Sequence, residues 1–183
     1  MSEWRATAAS RAELHSALRA QIEQLAPGAR LVASDVLAAE SSIDLVLAGS
    51  DGQAIAVDVS EPGHELEALV RAAAHASWLA ARLRDWRKLA PELPIRPELP
   101  VRALLLVQEL GEELRAAAGA LPALELLQYR ALATPDGLRV LLLREPPAGR
   151  AGSPAAAALP KLRSSLTDAQ LGLTPEESAA FED

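Results

Sequence analysis

The pattern of apolar and polar positions along the chain predicts alternating helices and strands. Apolar residues recur at helical spacing over about residues 10–26, which predicts a first helix. A loose alternation over residues 29–38 predicts a strand. Two further strands, over residues 43–48 and 54–60, flank the turn Gly49-Ser50-Asp51-Gly52 and predict a hairpin.

Helices and strands continue to alternate over residues 65–143. Residues 65–89 carry two adjacent apolar stripes, which predicts a long helix packed on two sides. The nearly continuous apolar run over 101–107 is typical of a central strand covered on both faces. A short helix over 111–120 and a hairpin with strands at 124–132 and 138–143 complete the pattern.

The chain divides by composition into three parts. Residues 1–145 hold the predicted α/β domain. Residues 146–165 are rich in Pro, Ala, Gly and Ser, which predicts a flexible linker. Residues 166–183 are predicted to form a short helical tail, because Thr174-Pro175-Glu176-Glu177 has the residue types of a helix N-terminus.

Charge and composition exclude several classes of protein. The net charge of −7 argues against strong non-specific binding to nucleic acid. The absence of cysteine excludes disulfides and thiolate metal sites. No signal-peptide core and no apolar stretch of about 18 residues is present, so no membrane association is expected. We therefore expect a soluble cytoplasmic protein, and the high Ala, Arg and Leu usage indicates a GC-rich bacterial genome.

Two carboxylates occupy neighbouring strands of the first predicted hairpin. Asp44 lies near the start of one strand, and Asp58 lies near the end of the next. Carboxylate oxygens are ligands that Mg²⁺ prefers, and a metal held there would activate a water molecule for hydrolysis. Asp44 and Asp58 are therefore candidate metal ligands and catalytic residues, with either Mg²⁺ or no cofactor expected.

The element order and these acids together resemble the PD-(D/E)xK nuclease-like superfamily, over roughly residues 10–132. The motifs that carry the resemblance are Ile43-Asp44-Leu45, the glycine turn, Ala56-Val57-Asp58-Val59-Ser60 and the long helix. The resemblance implies a mixed central sheet flanked by helices, a restriction-endonuclease-like αβββαβαβ core with an extra C-terminal strand. It also implies that Ser60 stands where the superfamily has its catalytic lysine.

Replacing that lysine has a chemical cost. A serine hydroxyl is neutral and short, and the loss of a preorganised charged donor commonly removes about 3 kcal/mol or more of transition-state stabilisation. Arg71 or His75 on the long helix could supply a relocated cation or proton carrier. A packed histidine is the ordinary interpretation of His75, whereas His15 and His64 are too isolated in the sequence to be interpreted as ligands.

Three functions follow from these observations. The first is a catalytically inactive PD-(D/E)xK-like protein with a degenerate site and a binding or assembly role. The second is an active Mg²⁺-dependent endonuclease with a relocated basic residue. The third is a homodimeric protein-interaction module unrelated to nucleic acid, and an unrelated α/β domain with solvated acids is a further alternative. Trp78 and Trp86, interleaved with cations between Arg71 and Lys88, predict either a nucleic-acid-facing strip or a solvated helix end.

Overall fold

The computed structural model describes residues 5–38, 40–135 and 137–144 of the chain. The predicted linker at 146–165 and tail at 166–183 lie outside these residues. In chain order, the elements are β1 (Arg5–Ala6), α1 (Arg11–Ala20), α2 (Ile22–Leu25), β2 (Arg30–Leu37), β3 (Ser42–Ala48), β4 (Ala54–Val59), α3 (Glu65–Leu89), β5 (Arg102–Val107), α4 (Glu112–Gly119), β6 (Leu124–Thr134) and β7 (Gly137–Leu143).

The strands form one mixed sheet in the order β2-β3-β4-β5-β6-β7. The pairs β4–β5 and β5–β6 are parallel, and the pairs β2–β3, β3–β4 and β6–β7 are antiparallel. The short β1 also pairs with β6, through Arg5–Ala133 and Ala6–Leu132. The predicted mixed sheet with helices, in the order αβββαβαβ plus a final strand, is thus confirmed.

Helices cover both faces of the sheet because alternate strand residues point to opposite sides. On one face, Leu14 and Leu18 of α1 belong to the same buried core as Leu104 and Leu106 of β5. On the other face, α3 packs along β3, β4 and β5, with its Leu79 and Leu83 against the β3–β4 hairpin. β5 therefore contributes to both cores, as its continuous apolar sequence predicted.

The observed bounds agree most closely where the sequence signal is longest. The long helix has the predicted bounds, Glu65–Leu89. The first helix is shorter than predicted, because Gln21 leaves the helical conformation and separates α1 from the one-turn α2. None of the helices among the described residues has the length and hydropathy needed to cross a bilayer.

Candidate functional site

Helix α1 is fixed at its N-terminus by Ser10. The Ser10 side chain accepts a hydrogen bond from the Glu13 backbone N–H, and the Glu13 carboxylate accepts from the Ser10 backbone N–H at 2.9 Å. This reciprocal capping box satisfies donors that a helix start leaves open. It sets the direction of the first turns, which carry Arg11 and His15 towards β3.

Asp44 is buried under those two side chains. Its Oδ1 accepts a hydrogen bond from Arg11 Nη2 at 2.5 Å, and its Oδ2 accepts from the Val59 backbone N–H at 2.6 Å. His15 Nε2 lies 2.9 Å from Asp44 Oδ1 without forming a hydrogen bond. The contact with Asp44 is the main cause that raises the pKa of Arg11, so the guanidinium stays charged beside this carboxylate.

Strand β3 is irregular at Asp44. Ile43 packs in the core under α3, whereas Leu45 packs in the core under α1, although residues two apart on a strand normally share a face. The β3–β4 ladder ends at the pair Leu45–Val57. The Val59 N–H, which points towards β3, is taken by the Asp44 carboxylate, so this side chain replaces a backbone acceptor where the two strands separate.

Asp58 lies on the opposite face, under α3. Its Oδ1 lies 2.7 Å from His75 Nδ1, and His75 Nε2 lies 2.8 Å from the hydroxyl of Ser41. Only 1% of the Asp58 surface is exposed, and its Oδ2 has no hydrogen-bond partner among the described residues. Burial raises the pKa of Asp58, against the opposing effect of the His75 contact.

Ser60, which is buried, and Arg71, which is half-buried, lie beside the same region. The Ser60 hydroxyl donates to the Glu61 carbonyl at 2.9 Å and is therefore directed along its own loop. Arg71 is half-buried, and its charge acts on Asp58 to lower the pKa of that carboxyl, as the weakest of several influences. Arg71 and Ser60 both line a cavity of about 970 Å³, here called the Ser60 cavity.

The structure therefore divides the sequence-predicted site. Asp58, His75 and Arg71 are grouped beside α3, whereas Asp44 belongs to a cluster with Arg11 and His15 of α1. Asp44 and Asp58 share no hydrogen-bonding partner among the described residues, although the Asp44 charge is close enough to raise the pKa of Asp58. Within the described part of the chain, no group of three or more His, Asp or Glu side chains is arranged to hold a metal.

Sequence reasoning missed three residues of this region: Arg11, His15 and Ser41. Arg11 and His15 are separated by one helical turn, and that spacing was the only available signal that they act together. Nothing local links them to Asp44, because the contact spans 33 residues of sequence. Ser41 lies 34 residues before His75 and has no motif of its own.

The basic strip along α3 is partly engaged within the helix. The Arg82 guanidinium lies 4.1 Å from the centroid of the Trp78 ring, a cation–π contact, and it also donates to the Trp78 carbonyl. Trp78 and Trp86 are half-buried and pack against the core under α3. The two tryptophans therefore contribute to the core, and Arg82 covers one of them.

Comparisons with known proteins give resemblances of fold. No protein-family model matches the sequence, and no curated protein matches it. EndoMS, solved in complex with double-stranded DNA, is similar with a TM-score of 0.49 and 16% identity, over 69% of this chain and 47% of that one. A repair endonuclease from Pyrococcus abyssi is similar with a TM-score of 0.48 and 15% identity, over 67% of this chain and 47% of that one.

The order of helices and strands decides the fold assignment. The three-strand meander β2-β3-β4, the long α3, and the parallel β5-α4-β6 unit follow one another as the sequence resemblance implied. The fold is restriction-endonuclease-like. The match spans about half the length of each of the two solved proteins.

Proposed function

We propose that this chain is a nuclease-like domain that no longer cleaves phosphodiesters and that acts by binding. The observation that carries the proposal is that groups of the protein itself occupy both candidate metal acids. Arg11 and the Val59 N–H hold Asp44, and His75 holds Asp58. A divalent cation would have to displace a guanidinium from Asp44, and at Asp58 it would meet one oxygen bound to an imidazole and one buried oxygen.

The remaining oxygens do not fit a magnesium site. Mg²⁺ prefers near-octahedral coordination by six oxygens and usually keeps several waters. Asp58 Oδ2 is one buried oxygen without a partner, and burial raises the pKa of that carboxyl, which disfavours the charged form that a metal needs. Asp44 faces the other side of the sheet. These contacts support an inactive site over the alternative of an active Mg²⁺-dependent endonuclease.

The relocated-cation alternative is also weak on geometry. Arg71 is near Asp58, but a guanidinium is always charged and is therefore a poor general base. His75 is 97% buried between Ser41 and Asp58, so its two ring nitrogens are already engaged. Neither residue replaces an ammonium group at the position of Ser60.

The Ser60 cavity is the best candidate for the binding surface. Its lining includes Arg11, Arg71 and Arg130, which favour an anionic ligand, and also the acids Glu61 and Glu67. Neutral donors are present as well. Tyr129 accepts from Gln108 Nε2 at 3.0 Å, and because burial raises the pKa of its hydroxyl, that O–H remains a donor. This lining favours a phosphate-bearing ligand, and nucleic acid is the ligand class that we propose.

The charge of the whole chain limits the form of that binding. A net charge of −7 opposes wide, non-specific wrapping of a duplex. Arg11 is already bound to Asp44, so engagement through Arg71 and Arg130 predicts a modest salt dependence, with a slope of log K against log salt of about −1.5. We therefore propose local binding of an end or a short single-stranded stretch, by a cytoplasmic bacterial protein.

Fluorescence anisotropy with labelled DNA and RNA oligonucleotides tests the proposal on the full chain. We expect binding without cleavage in the presence of Mg²⁺ or Mn²⁺, weakened in Arg71→Gln and Arg130→Gln. The matched control is Arg84→Gln, an exposed arginine on α3 outside the cavity lining. Cleavage that requires Asp58 would favour the active nuclease, and absence of any binding would remove nucleic acid as the ligand.

Self-association is the second candidate role. Leu66 and Val70, separated by one turn on the outer face of α3, are 42% and 71% exposed. Exposed apolar side chains in adjacent positions are a feature of protein interfaces. Light scattering of the full chain would reveal a homodimer, and a Val70→Glu variant would return such a dimer to monomer. A monomeric mass at all concentrations would contradict this role.

A further inference from the structure

Ser41, His75 and Asp58 form a hydrogen-bonded series outside the Ser60 cavity. The Ser41 hydroxyl lies 2.8 Å from His75 Nε2, and His75 Nδ1 lies 2.7 Å from Asp58 Oδ1. These are the distances and the order of atoms in which a histidine can remove a proton from a serine while a carboxylate orients the ring. The arrangement uses an acid that the nuclease-like motif supplies, but neither a metal nor a lysine.

The contacts define the role of each atom. An ionised carboxylate can only accept a hydrogen bond, so with Asp58 ionised a neutral His75 carries its proton on Nδ1. His75 Nε2 is then unprotonated, and in its contact with the Ser41 hydroxyl it can accept the hydroxyl proton. His75 and Asp58 are 3% and 1% exposed, so the base and its orienting group are held rigidly, whereas Ser41 is half-buried and reaches the surface.

The surroundings of Ser41 indicate the class of substrate. The serine lies in the loop between β2 and β3, next to the exposed acid Glu40 and close in sequence to the exposed Leu37. Ser41 is not among the residues that line the Ser60 cavity. An exposed acidic neighbour disfavours anionic substrates such as nucleotides, and the partly exposed serine favours small, uncharged acyl donors.

We propose that Ser41 is a nucleophile, activated by His75 and oriented through Asp58, that reacts with small uncharged esters. The Oγ–H proton passes to His75 Nε2 while Oγ bonds to the ester carbonyl carbon. The bond from that carbon to the alcohol oxygen breaks, and the alcohol leaves with the proton from His75. Water then cleaves the seryl ester, which releases the carboxylic acid and restores the hydroxyl.

A fluorophosphonate probe tests the nucleophile directly on the full-length native protein. We expect one adduct, located on Ser41 by peptide mass spectrometry, formed while fluoride leaves phosphorus. Ser41→Ala should lose the adduct, and Ser42→Ala, a matched change at the next residue, should keep it. His75→Gln should slow labelling by about a hundredfold or more, the usual contribution of a general base. The rate of p-nitrophenyl acetate hydrolysis should likewise be lost in Ser41→Ala, reduced in His75→Gln and kept in Ser42→Ala.

Comparison with the unfolded chain keeps the test decisive even where His75→Gln does not fold. Activation by His75 requires the folded geometry, so Ser41 in the native protein should label faster than Ser41 in the urea-unfolded chain. An equal or slower native rate, or no adduct on Ser41, would overturn the proposal. So would a folded His75→Gln protein that labels at the native rate. The probe is neither a metal ligand nor a phosphodiester, so its outcome is independent of the proposed loss of nuclease chemistry.

Discussion

His75 Nδ1 lies 2.7 Å from Asp58 Oδ1, and this contact joins the middle of the longest helix to the strand that carries the nuclease-like motif. Both side chains are almost fully buried. A buried carboxyl that meets an imidazole is stabilised by one hydrogen bond and by the charge of whichever partner is ionised. The pair therefore has a structural role that is independent of any reaction.

Removing His75 should destabilise the domain. His75→Ala leaves Asp58 buried without its hydrogen-bond donor, and breaking a buried pair in this way costs about 3–5 kcal/mol. Urea unfolding, followed by circular dichroism, measures the change in the free energy of unfolding. The control is His64→Ala, at an exposed position before α3, which we expect to change the stability by less than about 0.5 kcal/mol. Equal stabilities for the two variants would contradict a structural role for the buried pair.

The stability of the domain should depend on pH through the protonation of Asp58. Burial raises its pKa in the folded state above the ordinary value of 3.8, so the folded protein holds a proton that the unfolded chain has lost. Stability from this group is then greatest at low pH and falls as pH rises from the ordinary value through the raised one. Relative to Asp58→Asn, the wild type should lose stability across that window. A difference between the two proteins that does not change with pH would contradict the assignment.

Replacement of Arg11 should test how Asp44 is held. Arg11→Ala removes a charged hydrogen bond from a buried carboxylate, but the arginine side chain is 54% exposed, so water replaces part of the interaction. We expect a loss of about 1–2 kcal/mol. Arg19→Ala, an exposed arginine in the last turn of α1, is the control. In a double-mutant cycle with Asp44→Asn, the coupling energy between Arg11 and Asp44 should account for most of the stability lost in Arg11→Ala. Additive effects of the two substitutions would contradict an interaction between these residues.

Introducing a lysine at position 60 should not by itself produce nuclease activity. Ser60→Lys places an ammonium at the predicted position, but Arg11 and His75 still occupy the two acids. We therefore expect no nicking of supercoiled plasmid with Mg²⁺ or Mn²⁺, and no heat of metal binding in calorimetry. Ser60→Gln controls for the added length. Metal-dependent nicking by Ser60→Lys that Asp58→Asn abolishes would instead mean that only the lysine was missing.

Local signals in the sequence were sufficient for most of the fold. The bounds of α3 followed from its uninterrupted apolar stripes, and β5 followed from its continuous apolar run. The two-residue β1 was missed because it exists only through pairing with β6, more than a hundred residues later. The early end of α1 was missed because Gln21 has good helix propensity, yet it leaves the helix to exchange hydrogen bonds with the backbone of Val140 on β7.

The site was less predictable than the fold because its geometry depends on which face each acid meets. Asp44 and Asp58 were identified from their strand positions, but the expectation of shared metal ligation treats β3 as regular. The irregularity at Asp44 turns that side chain towards α1 while Asp58 faces α3. Their use as metal ligands remains a prediction that calorimetry can test. His15, dismissed as isolated, lies beside Asp44 through the packing of α1 on the sheet.

The bond from the Val59 amide to the Asp44 carboxylate also bears on how relatives of this chain should be interpreted. An aspartate that accepts this backbone N–H supports the architecture of the strand pair whether or not it takes part in chemistry. In an alignment of such relatives, an invariant acid at this position would therefore not distinguish proteins that cleave nucleic acid from those that do not. The residue that faces this acid from the first helix should be more informative, because a cation there, like Arg11, would compete with a metal for the carboxylate, whereas a small neutral residue would not.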